Sequence, residues 1–272
     1  MSSIDESARV VARENPSLKE ELKFLRDFLK LHDETVKRII SSISESDREV
    51  LAKRIKAVIS QRKIVVDYVN PPVPEKVFRE YLESLLDLLE AHRQDLAGDA
   101  ERFEGWLKSL NSVSEVLDLT RDPGKADRVM NDLKISQEFL YNFLLWALQP
   151  ILSTLASLVG QIDFPWGSAT CPICGFETKV GFTTSNNVYM KCTVCGAEWK
   201  ISGLKCPYCG NTEGDTIEQY SKTKKYALYM CSKCGKYWKI VNEDALKKKV
   251  DRRFYDLQTS KLDTVAAKRG YV

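Results

Sequence analysis

The chain has 272 residues, is 43% hydrophobic and 29% charged, and carries a formal net charge of +3. Those values exclude a disordered chain and leave room for one sizeable core with a smaller domain beside it. The charge is divided unevenly: residues 1–165 hold 23 basic and 28 acidic side chains, and residues 166–272 hold 18 and 10. Eight thiolates and two divalent ions in the second part would bring its excess down to about +4, so its basic character is modest.

The first residues, Met1 to Glu21, are charged and lack an apolar core, so no signal peptide is expected. Asn15-Pro16-Ser17-Leu18-Lys19-Glu20 predicts a helix start, with Ser17 as N-cap and Glu20 closing a capping box. Leu18, Leu22, Leu25, Leu29, His32, Val36, Ile39 and Ile43 then follow at four- and three-residue steps, the apolar seam of one helix. A histidine inside such a seam reads as a packed, hydrogen-bonded side chain rather than a ligand or a base. His92 lies in a charged helix-end sequence and carries less signal still.

Ser46-Asp47 opens a second helix, with Val50, Leu51, Ile55, Val58 and Ile59 on its buried side. Asn70-Pro71-Pro72-Val73-Pro74 forbids helix and predicts an extended connection. A third helix from about Glu75 presents Val77, Phe78, Tyr81, Leu82, Leu85, Leu86 and Leu89, and a fourth after Gly98-Asp99 uses Phe103, Trp106, Leu107 and Leu110. None of these residues forms a catalytic constellation. Phe139 to Val159 is the most apolar stretch, yet Asn142, Gln149, Pro150, Ser153, Thr154 and Ser157 interrupt it. It reads as the central helix of a bundle, kinked or broken at Pro150, and not as a membrane span. Gly160 to Gly167, with Pro165 and Trp166, forms the passage onward.

All eight cysteines lie between Cys171 and Cys234, in four CxxC pairs each followed by glycine. Two thiolates two residues apart reach one ion from a tight turn, and two such turns supply a closed tetrahedral site. Glycine after the second cysteine tolerates positive φ, so the turn folds back and its backbone N–H groups face the sulfurs. The stretch also repeats itself: Tyr189, Met190, Trp199, Lys200 and Ile201 recur as Tyr229, Met230, Trp238, Lys239 and Ile240. One ion per copy follows, held by Cys171, Cys174, Cys192 and Cys195 in the first and by Cys206, Cys209, Cys231 and Cys234 in the second; an interleaved pairing satisfies the same chemistry. Units this short cannot bury enough apolar surface alone, so the ion supplies stability, with Trp199 and Trp238 as cover. Disulfides need an oxidising compartment, a CxxC redox enzyme needs a βαβ context, and ferredoxin-type runs are spaced differently, which leaves mononuclear zinc or iron.

Asn242 to Gly270 reads as helical, with Leu246, Val250, Phe254, Leu257, Leu262 and Val265 for packing and the basic run Lys247-Lys248-Lys249 and Arg252-Arg253 beside them. The fold class is therefore α+β: an all-helical N-terminal bundle (1–165), two tandem four-cysteine zinc-ribbon or rubredoxin-like modules (166–203 and 204–241) and a C-terminal helical segment (242–272).

Trp166-Gly-Ser-Ala-Thr-Cys171-Pro-Ile-Cys174-Gly, Tyr189-Met-Lys-Cys192-Thr-Val-Cys195-Gly-Ala-Glu-Trp199 and Lys205-Cys206-Pro-Tyr-Cys209-Gly, placed after a helical region, resemble the formate dehydrogenase accessory protein family, FdhE. The resemblance extends to Asn15-Pro16 with Leu22-Lys-Phe24-Leu25-Arg-Asp-Phe28-Leu29, and to Leu262-Asp263 through Gly270-Tyr271. It implies a cytoplasmic accessory protein, not an enzyme, that binds the catalytic subunit of a formate dehydrogenase or a related molybdopterin enzyme, with rubredoxin-like iron at its cysteines. Two other classes compete with it. A nucleic-acid-binding zinc-ribbon protein would use the basic C-terminal region with Tyr208, Tyr220 and Tyr226. A rubredoxin-like redox protein would carry one electron on iron.

Overall fold

The computed structural model describes residues 3–70, 73–164, 166–201, 205–213 and 217–272. Pro71 and Pro72 of the expected connection, Pro165 of the expected passage and the expected 203/204 boundary lie outside them. A helical N-terminal region is followed by a sheet region with both cysteine groups and then by a C-terminal helix. The chain divides into two compact units, one of residues 20–48 and 71–154, the other of residues 1–19, 49–70 and 155–272.

The helical unit takes most of α2 (Lys19–Ser42) and α8 (Gln137–Val159) together with α4 (Glu75–His92), α5 (Ala97–Ser109), α6 (Ser114–Asp118) and α7 (Pro123–Leu133). Its core is the expected set of faces: Leu22, Leu29, Val36 and Ile39 of α2, and Phe78, Tyr81, Leu82, Leu85, Leu86 and Leu89 of α4, are buried. Phe103 bridges α5 to α8, with ring centroids 5.6 Å from Phe139 and 4.7 Å from Phe143. Ser17 lies within a 3-10 turn, Pro16–Leu18, rather than capping α2, because Pro16 already starts the turn one residue earlier. In α3 (Glu45–Ser60) the expected seam begins late: Ile55, Val58 and Ile59 are buried, but Val50 is 63% exposed. Ser44, two residues before the expected start, accepts the Asp47 N–H at its hydroxyl. The α8 helix is not broken at Pro150 and runs unbroken to Val159. By length and composition it could cross a membrane, and half of its apolar window is buried in the fold.

The second unit is organised on a six-stranded sheet. Its strands are β1 (Val180–Thr184), β2 (Asn187–Lys191), β3 (Glu198–Lys200), β4 (Ile217–Thr223), β5 (Tyr226–Cys231) and β6 (Tyr237–Asn242), in the order β3-β2-β1-β6-β5-β4. Each cysteine module supplies three antiparallel strands, and the two meanders join through a parallel pairing of β1 with β6. The copies are therefore related by a shift along the sheet. Gly181 of β1, beside this junction, permits a close approach to β2, where any Cβ would strike the Tyr189 carbonyl and crowd the Ile240 and Met190 side chains.

The repeat is offset by one residue where the sequence aligns it most closely. Met190 lies opposite Trp199 in the first copy, whereas Tyr229 lies opposite Trp238 in the second. Lys191 stands between Met190 and Cys192 and has no counterpart between Met230 and Cys231, so Lys191 takes the place that Met230 holds in the second copy. A shift of one residue exchanges the two faces of a strand. Lys191 is accordingly buried, its ammonium donating to the Gly196 carbonyl and to Glu198, each at 3.1 Å.

After β6 the expected continuous helix is instead two 3-10 turns, Glu243–Ala245 and Arg252–Phe254, then α9 (Tyr255–Gln258) and α10 (Ser260–Lys268). Asn242 and Asp251 side chains each accept a backbone N–H two residues on and restart the chain, which turns to follow the sheet. Lys239, 1% exposed, holds it there by donating to the carboxylates of Asp256 and Asp263, both at 2.7 Å. The charged N-terminal stretch is itself a helix, α1 (Ile4–Glu14), capped by Ser3 and fixed to this segment through the Ser7 hydroxyl and the Asp251 N–H.

Candidate metal centres

Four turns of one design present the cysteines. In each, the N–H of the glycine after the second cysteine donates to the carbonyl of the first: Gly175 to Cys171, Gly196 to Cys192, Gly210 to Cys206 and Gly235 to Cys231, at 2.9–3.2 Å. The first cysteine's N–H then bonds the carbonyl of the residue five positions on, Phe176, Ala197, Asn211 or Lys236. All four glycines have φ between +71° and +75°, a region closed to most side chains. That is the turn the CxxCG spacing requires.

The turns converge in two groups, Cys171, Cys174, Cys192 and Cys195 in one and Cys206, Cys209, Cys231 and Cys234 in the other, with the sulfurs of each group within 4.8 Å of one another. Cys171 Sγ is 3.5 Å from Cys195 Sγ and Cys174 Sγ 3.5 Å from Cys192 Sγ. In the second group Cys206 to Cys234 is 3.7 Å and Cys209 to Cys231 is 3.8 Å. A disulfide needs about 2.05 Å, whereas four sulfurs at ~2.3 Å from one ion form a tetrahedron with edges of about 3.8 Å. The separations fit the second geometry.

The donor chemistry fits as well. Burial pushes the Cys171 and Cys195 thiols up, while hydrogen bonds from Cys171, Cys174 and Cys195 hold Cys192 down. Burial likewise pushes Cys206 up to about 12. Four sulfurs held this close together can all ionise only when a cation takes their charge. Backbone N–H groups already face them, from Ile173 to Cys171 and from Cys195 to Cys192, both at 3.4 Å. Both groups could hold a metal ion, and four thiolates suit zinc or iron.

The other candidate side chains are engaged elsewhere. Arg252 pairs with Glu243 and Glu198 and lies 3.9 Å over the Phe182 ring, Arg253 pairs with Asp251, and Lys248 pairs with Glu6. The Tyr208 hydroxyl donates to the Thr178 and Tyr237 carbonyls, Tyr226 donates to Glu14, and Tyr220 lies beneath Arg269. Arg252, Arg253, Lys248 and the three tyrosines thus serve internal contacts rather than a free stacking platform.

One constellation had no signal in the sequence. His32 Nε2 lies 2.9 Å from Ser153 Oγ, and His32 Nδ1 lies 3.1 Å from Asp33 Oδ1, the order of a hydrolytic triad. Ser153 is nevertheless buried within α8, where the neighbouring backbone N–H groups serve the helix and none is left for an oxyanion. As the periodicity predicts, His32 is a hydrogen-bonded member of the seam.

Comparison with known proteins places these features in context. No protein-family model matches the chain. An FdhE homologue from Aquifex aeolicus (strain VF5) is 27% identical over 275 residues, covering 97% of this chain and 89% of that protein. An FdhE homologue from Enterobacter sp. (strain 638) is 29% identical over 140 residues, covering 47% of this chain and 44% of that protein. FdhE of Escherichia coli O127:H6 (strain E2348/69 / EPEC) is 27% identical over 140 residues, with the same 47% and 44% shares. The crystal structure of the FdhE protein from Pseudomonas aeruginosa matches with a TM-score of 0.63 at 19% identity, over 99% of this chain and 92% of that one, which establishes a common fold.

Proposed function

We propose, from the premise that the chain is FdhE-like, that it is a cytoplasmic accessory protein. In this reading it binds the catalytic subunit of a formate dehydrogenase, or of a related molybdenum or tungsten oxidoreductase, and assists its maturation. Each cysteine group holds one metal ion, zinc or iron, through all four sulfurs. The observation that carries the proposal is the sequence likeness to an FdhE homologue along 97% of the chain, with both four-cysteine groups inside the matched fold. A four-thiolate site leaves no position for substrate, so the ions support a binding surface rather than a hydrolytic reaction. The internal pairing of Arg252, Arg253 and Lys248 speaks against a nucleic-acid role.

The test is affinity purification of the tagged protein from its native cell, followed by mixing of the purified partners. A stable complex with a large molybdopterin oxidoreductase subunit is expected. Failure to bind that subunit, together with nucleic-acid binding that weakens steeply with salt, would overturn the reading.

A further inference from the structure

The two cysteine groups share a turn design but differ in surroundings. In the first, Cys171, Cys192 and Cys195 are buried and Cys174 is half-buried; in the second, Cys209 is exposed and Cys234 half-buried. The first group is also braced from outside its own module: the Val65 and Val66 N–H groups donate to the Pro172 and Ile173 carbonyls at 2.9 Å, and Ile64 packs on Gly175. Those bonds clamp the turn between Cys171 and Cys174 along its backbone. The one-residue offset adds a buried ammonium, since Lys191 donates to the carbonyl of Gly196, next to the ligand Cys195. The second copy has the uncharged Met230 at that position. Four thiolates on a divalent ion carry net negative charge, and the Lys191 ammonium beside the first group, whose carboxylate partner Glu198 is shared with Arg252 and so offsets it only in part, favours its loaded form.

The second group has no such charge compensation at the matching position, and one of its sulfurs faces solvent. Its first turn is held from the first module by the Ala169 N–H, which donates to the Pro207 carbonyl at 2.7 Å, and its last turn contacts the C-terminal segment. The Val272 N–H donates to the Gly235 carbonyl at 2.9 Å, and Leu262, Val265 and Tyr271 pack against Leu228, Met230 and Tyr237 on the strands that flank Cys231 and Cys234.

We propose that the groups have divided roles: the first retains its ion as part of the fold, and the second exchanges its ion with thiolate or nitrogen donors in solution through Cys209, loosening the Val272–Gly235 contact when empty. This rests on reading both groups as metal sites. In the exchange, the Cys209 sulfur leaves and takes a proton from solvent while the incoming donor fills its position; no electron moves.

The experiment loads the full chain with zinc and follows release to excess 4-(2-pyridylazo)resorcinol by absorbance. Two phases of one ion each are expected, with rates differing by roughly tenfold or more, because one ligand opens locally and the other group opens only with the surrounding fold. In the unmodified protein, iodoacetamide should label the Cys209 peptide in step with the fast phase. Amide exchange at Val272 should rise with it, while Val65 and Val66 stay protected. Cys209→Ser should remove the fast ion and leave the slow one. Release in a single phase, or first labelling at Cys174, would overturn the division of roles while leaving two metal sites. A chain that binds no zinc would overturn the metal reading itself and the division with it.

Discussion

The Tyr81 hydroxyl donates to the Trp146 carbonyl across 2.7 Å, and Trp146 lies four residues before Pro150. That carbonyl is the one an ordinary residue at 150 would bond through its N–H, which proline lacks. A fully buried tyrosine on α4 thus satisfies the acceptor that Pro150 leaves without its helical partner, and α8 continues through Pro150 without a break. Tyr81→Phe should cost about 1–3 kcal/mol, the range for stranding a buried acceptor. In a Pro150→Ala background, where the helical N–H returns, that cost should fall to roughly half or less. Urea denaturation of the four proteins checks this, and an unchanged cost in the alanine background would separate the two residues.

The β1–β2 pairing of the first cysteine module depends on Gly181. Gly181→Ala should destabilise the protein by more than about 3 kcal/mol, because the new methyl would strike the Tyr189 carbonyl within the β1–β2 ladder. Gly210→Ala is the control: its surroundings are open, so only φ of +71° is penalised, at about 1–2 kcal/mol. Equal costs in chemical denaturation would contradict the close approach of β1 to β2.

Acid should weaken the sheet unit through Glu243. Burial opposes its ionisation, but hydrogen bonds from Arg252 and Tyr255 outweigh burial and hold its carboxyl below the ordinary 4.5. Because the folded value is the depressed one, its stabilisation is complete above pH 4.5 and disappears as pH falls through the folded value. The stability gap between the parent and Glu243→Gln should therefore be constant from neutrality to about pH 4.5 and close below it. A gap that widens on acidification would contradict the pairing.

The elements legible in the sequence are those whose signal is local and periodic. The α2 and α4 seams, the four CxxCG turns and their positive-φ glycines follow from spacing alone. What escaped depends on partners distant in the chain. The α1 helix buries only Ser7, Ala8 and Val11, too narrow a stripe to notice, and it is held by Asp251 and Gln258 far along the sequence. The parallel join of β1 to β6 has no turn to announce it, and the Lys191 offset is hidden because Tyr189-Met190 and Tyr229-Met230 align by identity while pairing differently. In the sequence Lys239 is marked only as the repeat of Lys200, because its carboxylate partners come from the helices that follow.

Whether eight sulfurs bind two ions is decided by native mass spectrometry of protein purified without added metal. The chain should carry two metal ions, both lost on denaturation to leave eight free thiols that react with an alkylating agent. A chain with no bound metal, or one whose mass and blocked thiols reveal disulfides, would contradict it.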